Sequence, residues 1–151
     1  MAIYTFDTSF IISNKLSGIN LDNFFYSDVV LLELIGSASD FTAFKKHQNT
    51  RRIFAEDEKL IVPNADDWLM AGKIIFWLEQ GVKRRNRGTS PPKKVGATQR
   101  MALDVLIAVS ARRYGATVVT ENWDDFNAIK YYCSFGLMRG AEFLAKSNKP
   151  E

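Results

Sequence analysis

The sequence predicts an α/β protein, a three-layer sandwich in which a short, mainly parallel central sheet is flanked by helices. Three observations predict it. Short apolar runs of β-favouring residues recur at residues 2–6, 60–63 and 116–120. Longer segments with helical spacing separate them, the alternation that a parallel sheet requires. Acids stand directly after the first and third runs, and in open parallel sheets sites form beyond the carboxyl ends of the strands.

At 151 residues the chain is sized for one domain, read here as residues 1–142 followed by a polar C-terminal tail at 143–151. The first strand ends at Asp7. Residues 8–14 read as a short helix or turn, and 17–23 carry turn residues compatible with the start of another helix. Ser27 is placed to cap a helix holding Val29, Val30, Leu31, Leu32, Leu34 and Ile35, although a strand competes for so apolar a run. Residues 38–58 read as helical, with Phe41, Phe44, Ile53 and Phe54 as the apolar positions. After the second strand, Asn64 or Asp66 caps a helix running to about Gly81. Its buried stripe is Trp68, Leu69, Ile74, Ile75, Trp77 and Leu78. Gly81, Gly88, Pro91 and Pro92 make 82–98 the longest loop. The next helix runs from Thr98 or Gln99 to Tyr114 and stops at Gly115. Asp124 and Asp125 open a short helix beyond the third strand, and a last strand is expected near 131–134.

Composition excludes several chemistries. A single cysteine, Cys133, rules out an intrachain disulfide and reads as a small core residue. A single histidine, His47, rules out a zinc site built on two or three histidines of one chain. No apolar run is long enough to span a bilayer, and nothing at the N-terminus reads as a secretion signal, so a cytoplasmic protein without membrane contact is expected. The net charge of +3 is unremarkable, but its distribution is not. Lys83, Arg84, Arg85, Arg87, Lys93 and Lys94 fall in or beside the predicted loop, a candidate for phosphate contact.

Carboxylates are left as the agents of any chemistry. Glu33 interrupts the apolar run 29–35, and Asp104 interrupts Met101-Ala102-Leu103-Asp104-Val105-Leu106-Ile107-Ala108. A buried carboxylate is expensive unless paired, neutralised or metal-bound. Taken singly, each acid also has a plain reading. Glu33 can face solvent, Asp104 can sit in a helix's first turn, and Asp7, Asp124 and Asp125 can cap helices. Taken together, the acids need a counter-charge, which a hard divalent ion such as Mg²⁺ or Mn²⁺ supplies. Phosphodiester cleavage uses that arrangement and needs neither histidine nor cysteine.

Three blocks carry a family resemblance. They are Ile3-Tyr4-Thr5-Phe6-Asp7-Thr8-Ser9; the segment Glu33-Leu34-Ile35-Gly36-Ser37-Ala38 with its apolar lead-in; and Leu103-Asp104-Val105-Leu106-Ile107-Ala108 continued by Thr120-Glu121-Asn122-Trp123-Asp124-Asp125-Phe126. From residue 2 to about 135 the chain resembles PIN-domain ribonucleases, and more closely the VapC-like toxins of toxin–antitoxin pairs. The resemblance implies a metal-dependent endoribonuclease with Asp7, Glu33, Asp104 and Asp125 as its catalytic acids. Asp7, Asp104 and Asp125 would be the metal ligands for Mg²⁺ or Mn²⁺, and Asn122 and Thr120 would shape the site. It further implies an RNA substrate, a cognate antitoxin and a homodimer. Asp7 and Glu33 lie closer together than the family leads one to expect, and Asp124 rivals Asp125 for the fourth position. A non-catalytic RNA- or protein-binding module and an RNA-maturation nuclease are the alternatives. Haloacid dehalogenase-like phosphatases are disfavoured because Ser9 stands where they need a second aspartate, and phosphoacceptor receiver domains because paired early acids are missing.

Overall fold

The computed structural model describes residues 1–85 and 96–147. Its central sheet has three parallel strands in the order β1 (Ile3–Phe6), β4 (Ala116–Thr120) and β5 (Gly136–Arg139). Between β1 and β4 along the chain lie α1 (Thr8–Ser13), β2 (Tyr26–Ser27), α2 (Asp28–Gly36), α3 (Phe41–Glu56), β3 (Leu60–Ile61), α4 (Ala65–Arg85) and α5 (Ala97–Arg113). After β4 come α6 (Trp123–Lys130) and, following β5, α7 (Gly140–Ser147). β2 and β3 form a second, two-residue parallel pair beside β1. The predicted three-layer α/β sandwich is thus the observed one, with a short parallel sheet flanked by helices.

α5 is the structural axis. It packs on β4, α4, α2 and α6, and Val105, Leu106, Ile107, Ala108, Val109, Ser110 and Ala111 are buried in unbroken succession. A helix covered all round reads in sequence as a plain apolar run. Gly115, at φ +64°, ends it as expected, in a backbone conformation that favours glycine. On β1, Phe6 joins an aromatic cluster with Phe10, Phe24 and Phe143. α4 opens on a reciprocal cap in which the Asn64 N–H donates to Asp67 Oδ2 and the Asp67 N–H donates to Asn64 Oδ1, both at 2.9 Å. Arg113 donates to the same Asp67 Oδ2 at 3.0 Å, tying the start of α4 to the end of α5.

Several expectations are corrected. Residues 17–23 form turns and no helix begins there, whereas the run 29–35 is the expected helix and not the competing strand. Ser27 sits at the N-cap of α2, but its hydroxyl makes no capping hydrogen bond. α3 begins at Phe41, and none of its residues is fully buried; Phe41 and Ile53 face solvent. α4 continues past Gly81 to Arg85, because a glycine inside a helix costs only about 1 kcal/mol. Its predicted buried stripe is half wrong. Ile74 is fully buried, but Trp68 and Leu69 are each 61% exposed and Trp77 is 40% exposed. The last strand lies at Gly136–Arg139, not near 131–134, which turn back from α6. The polar tail does not begin at 143: Phe143 is buried and helix α7 runs on to Ser147. Cys133 is buried, as expected. No helix among the described residues is long and apolar enough to cross a membrane.

Gly136 is where the sheet tolerates least. A Cβ there would lie 2.6 Å from Thr117 Oγ1 and 3.0 Å from the Thr117 Cα on the neighbouring strand. The backbone atom cannot rotate away, so overpacking is expected to cost about 1–3 kcal/mol. Gly136→Ala should lower the urea midpoint at unchanged m-value. A midpoint equal to that of the parent chain would show that β5 shifts freely.

Candidate active site

The register of β1 against β4 builds the centre of the site. Phe6 pairs with Val119, so the residues that follow, Asp7 and Thr120, emerge together at the carboxyl ends of adjacent parallel strands. Asp7 is only 2% exposed, and its oxygens are well supplied. Oδ1 accepts from the Phe10 N–H at 2.9 Å, so the residue also caps α1. Oδ2 accepts from Thr120 Oγ1 at 2.7 Å and from Ser9 Oγ at 2.7 Å. Burial raises the Asp7 pKa, and these three donors work against the rise. Thr120 Oγ1 in turn accepts from the Asn122 N–H at 2.8 Å, which ties the start of α6 to the same point.

Glu33 projects from α2 and accepts from Thr8 Oγ1 at 2.9 Å. Its pKa is raised by burial, with the charge of Asp7 adding to the effect. Asp125, in the first turn of α6, is exposed and accepts from Asn122 Nδ2 at 2.7 Å. Stacking of the Arg139 guanidinium over Trp123, 4.2 Å from the ring centroid, holds that turn against β5.

Asp104 stands among these groups. Burial pushes its carboxyl up to about 8, and the charges of Asp7, Glu33 and Asp125 push in the same direction. Arg100, one turn earlier on α5, opposes them. Among the described residues no hydrogen-bond donor reaches its carboxylate. Four elements that are distant in sequence thus bring Asp7, Glu33 and Asp125 into electrostatic range of Asp104. Asp125, rather than Asp124, acts on Asp104 and lines the adjoining cleft. That cleft, of about 440 Å³, is walled by α4, α5 and α6 and lined by Glu79, Asp104, Asn122 and Asp125, with Leu78, Val82, Met101 and Ile129 as apolar wall and Arg85 and Arg100 as its cations.

The predicted basic loop is only partly visible. Lys83, Arg84 and Arg85 belong to the last turn of α4, where cations also suit the helix terminus. Of these three, Arg85 lines the cleft. Arg87, Lys93 and Lys94 lie outside the described residues. Sequence reasoning missed Thr8, Ser9 and Arg100. The two hydroxyls follow Asp7 directly, and Arg100 sits four residues before Asp104 on one helix, so helical spacing would have found it.

No protein-family model matches the chain, and no curated protein matches it. Solved structures do. The chain is similar to one in DNA-bound VapBC from Salmonella typhimurium, with 21% identity, TM-score 0.56 and coverage of 93% of this chain and 99% of that one. VapBC-1 from nontypeable Haemophilus influenzae gives 24% identity, TM-score 0.54 and coverage of 92% and 98%. VapBC-5 from Mycobacterium tuberculosis, described as a member of the VapBC family of toxin–antitoxin systems, gives 23%, 0.54, and 92% and 99%. What is shared at these identities is the fold, that of the matching chains in these VapBC structures.

The acid cluster has a consequence for stability without metal. Asp104 holds its proton more tightly in the folded chain than in the unfolded one, so its contribution to stability is fully present at low pH. It is lost as pH rises from the ordinary value of 3.8 through about 8. In metal-free buffer the Tm should fall across that window, and Asp104→Asn should flatten the fall. Parallel Tm profiles for the two proteins would contradict the burial of this carboxyl.

Proposed function

We propose that this VapC-like PIN fold is a divalent-metal-dependent endoribonuclease, the toxin member of a toxin–antitoxin pair. The observation that carries the reading is Asp104. It is a carboxyl pushed up by burial and by three neighbouring acids, without a hydrogen-bond donor among the described residues, at the mouth of a cleft that also presents Arg85 and Arg100. Such a group calls for a cation.

The donor set fits Mg²⁺ or Mn²⁺, since every available ligand is a carboxylate oxygen. Among the described residues no group of three or more histidine, cysteine, aspartate or glutamate side chains is gathered tightly enough to enclose an ion. Magnesium does not require one. It is commonly held by one or two carboxylates, water and substrate phosphate. Asp104 with Asp7 or Asp125 would supply the protein ligands. The bound ion would activate water and neutralise charge at the cleaved phosphate.

The chain's own residues do the rest. Thr120, Ser9 and the Phe10 N–H favour the ionised form of Asp7 and aim it. Asn122 fixes Asp125. Glu33, oriented by Thr8, is the acid placed to take a proton from an attacking water. Arg100 and Arg85 would hold backbone phosphates in sequence-independent contacts.

The partner reading rests on the neighbours, which are VapBC complexes, and on an apolar groove of about 480 Å³. Leu32, Val62 and Trp68 line it and are exposed, more apolar surface than folding alone explains. An antitoxin segment would cover this groove. A homodimer and a cytoplasmic location are inferred with the toxin role. The second reading, a non-catalytic binding module, draws on the loose spacing of the acids.

The deciding experiment is cleavage of RNA by the purified chain with Mn²⁺ and with EDTA. Cleavage should require the metal, and Asp7→Asn and Asp104→Asn should reduce it to background in folded protein. Thr120→Val, which removes a donor to a proposed ligand, should cost about 10–100-fold. Metal-independent cleavage, or full activity in Asp104→Asn, would overturn the assignment. No Mn²⁺ binding at millimolar concentration would favour the non-catalytic module.

A further inference from the structure

The cleft at the acids does not end there. A second depression, lined by Gly81, Tyr131 and Tyr132, shares Leu78, Arg85 and Ala128 with it, so the two form one furrow along the seam of α4 and α6. At the far end stand three aromatic rings. Trp77 and Tyr132 are stacked, with centroids 5.8 Å apart and planes at 26°. Tyr131 meets Tyr132 edge-on at 5.1 Å. The Tyr132 hydroxyl donates to the Trp77 carbonyl at 3.4 Å, which holds that ring in place. Tyr131 is 84% exposed, and Trp77, expected from sequence to be core, is 40% exposed. Packing explains Tyr132 but not Tyr131.

A furrow with a cation in its floor and aromatic faces at its end has the composition of a single-strand path. Positive charge tracks the backbone, and each unpaired base offers a face to stack on. We infer that a single-stranded RNA segment leaves the acidic centre along the α4–α6 furrow, with Arg85 on a phosphate and the next unpaired base stacked on Tyr131 and the Trp77–Tyr132 pair. The inference rests on the ribonuclease reading of the acidic centre and extends it to the substrate's form. A base held in a duplex already has its faces covered and cannot use the platform. Charge complementarity argues for the strand over a protein occupant in the outer half of the furrow, where Arg85 is the only charged lining residue among the described residues; in the inner half Arg85 and Arg100 stand against the carboxylates of Glu79, Asp104 and Asp125.

The test measures binding apart from cleavage. A short fluorescent oligoribonucleotide of mixed sequence is titrated with the full chain in EDTA and read by anisotropy. Mn²⁺-dependent kcat and KM are measured alongside. Tyr131→Ala and Arg85→Ala should each weaken binding about fivefold or more, the loss expected for one stacked base or one charge contact. KM should rise while kcat is largely kept. Phe41→Ala, an exposed aromatic on α3 outside the furrow, should leave binding unchanged, and a duplex of the same sequence should be indifferent to Tyr131→Ala. Wild-type affinity in both furrow variants overturns the path, as does an absence of single-strand binding by the parent chain. So does a change from dimer to monomer in Tyr131→Ala, seen by sedimentation with RNA affinity intact, which would make the face a protein interface. Loss of binding in Tyr131→Ala with no metal-dependent cleavage by the parent chain would retain the path and remove the nuclease. Furrow variants that bind normally, beside an inactive Asp104→Asn, would do the reverse.

Discussion

The rest of the structure depends on one buried carboxylate between two parallel strand ends. Asp7 follows β1 directly, and the β1–β4 register sets Thr120 beside it, so a strand-pairing decision made by Ile3, Thr5 and Val118 fixes a polar contact of 2.7 Å. A one-residue slip would turn Thr120 away and leave Asp7 buried without that donor. The same carboxylate caps α1 through the Phe10 N–H, which delivers Phe10 to the aromatic cluster around Phe6. Folding and site assembly are therefore a single event at this point. The hydrogen bonds that make burial of Asp7 tolerable are also the ones that aim it.

α5 carries the opposing demand. Its buried succession from Val105 to Ala111 anchors the core, and Asp104 sits immediately before that succession, where the helix leaves the apolar interior. An acid there feels low dielectric on one side and three like charges on the other. Its carboxyl at about 8 is the result, only modestly relieved by Arg100. Sites of this kind trade stability for readiness, because the charge that a cation would satisfy is a strain in the chain alone.

The parts legible in the sequence are those with a strong local signature. β1 and β4 are apolar runs ended by polar residues, and Asp7, Glu33 and Asp104 each break or close such a run. The sequence does not separate Asp125 from Asp124, since adjacent aspartates on a helix differ only in direction; the Asn122 bond and the cleft distinguish them. β2 and β3, two residues each, are too short for any period to mark. The exposed aromatics of α4 were illegible for another reason. Hydrophobic spacing shows which residues share a helix face but not whether anything covers that face, so Trp68 and Trp77 read as core. The hydroxyls of Thr8 and Ser9 and the cation Arg100 were overlooked because their roles exist only relative to acids on other elements.

On the proposed reading, an acidic centre repels the phosphates it must approach, and one metal ion cannot neutralise four carboxylates and a polyanion together. The compensation has to come from cations set back from the acids, close enough to draw the backbone in and too far to quench the ligands by pairing with them. Arg100 and Arg85 occupy such positions. Arg100 lies one helical turn from Asp104 and lowers its pKa without forming an ion pair with it, and Arg85 stands on the opposite wall of the cleft. Moving either charge into contact with the acids would satisfy the carboxylates and remove their need for a divalent ion. The electrostatic mismatch at Asp104 is thus kept by the spacing of the arginines, and on the proposed reading this spacing leaves room for both metal and strand.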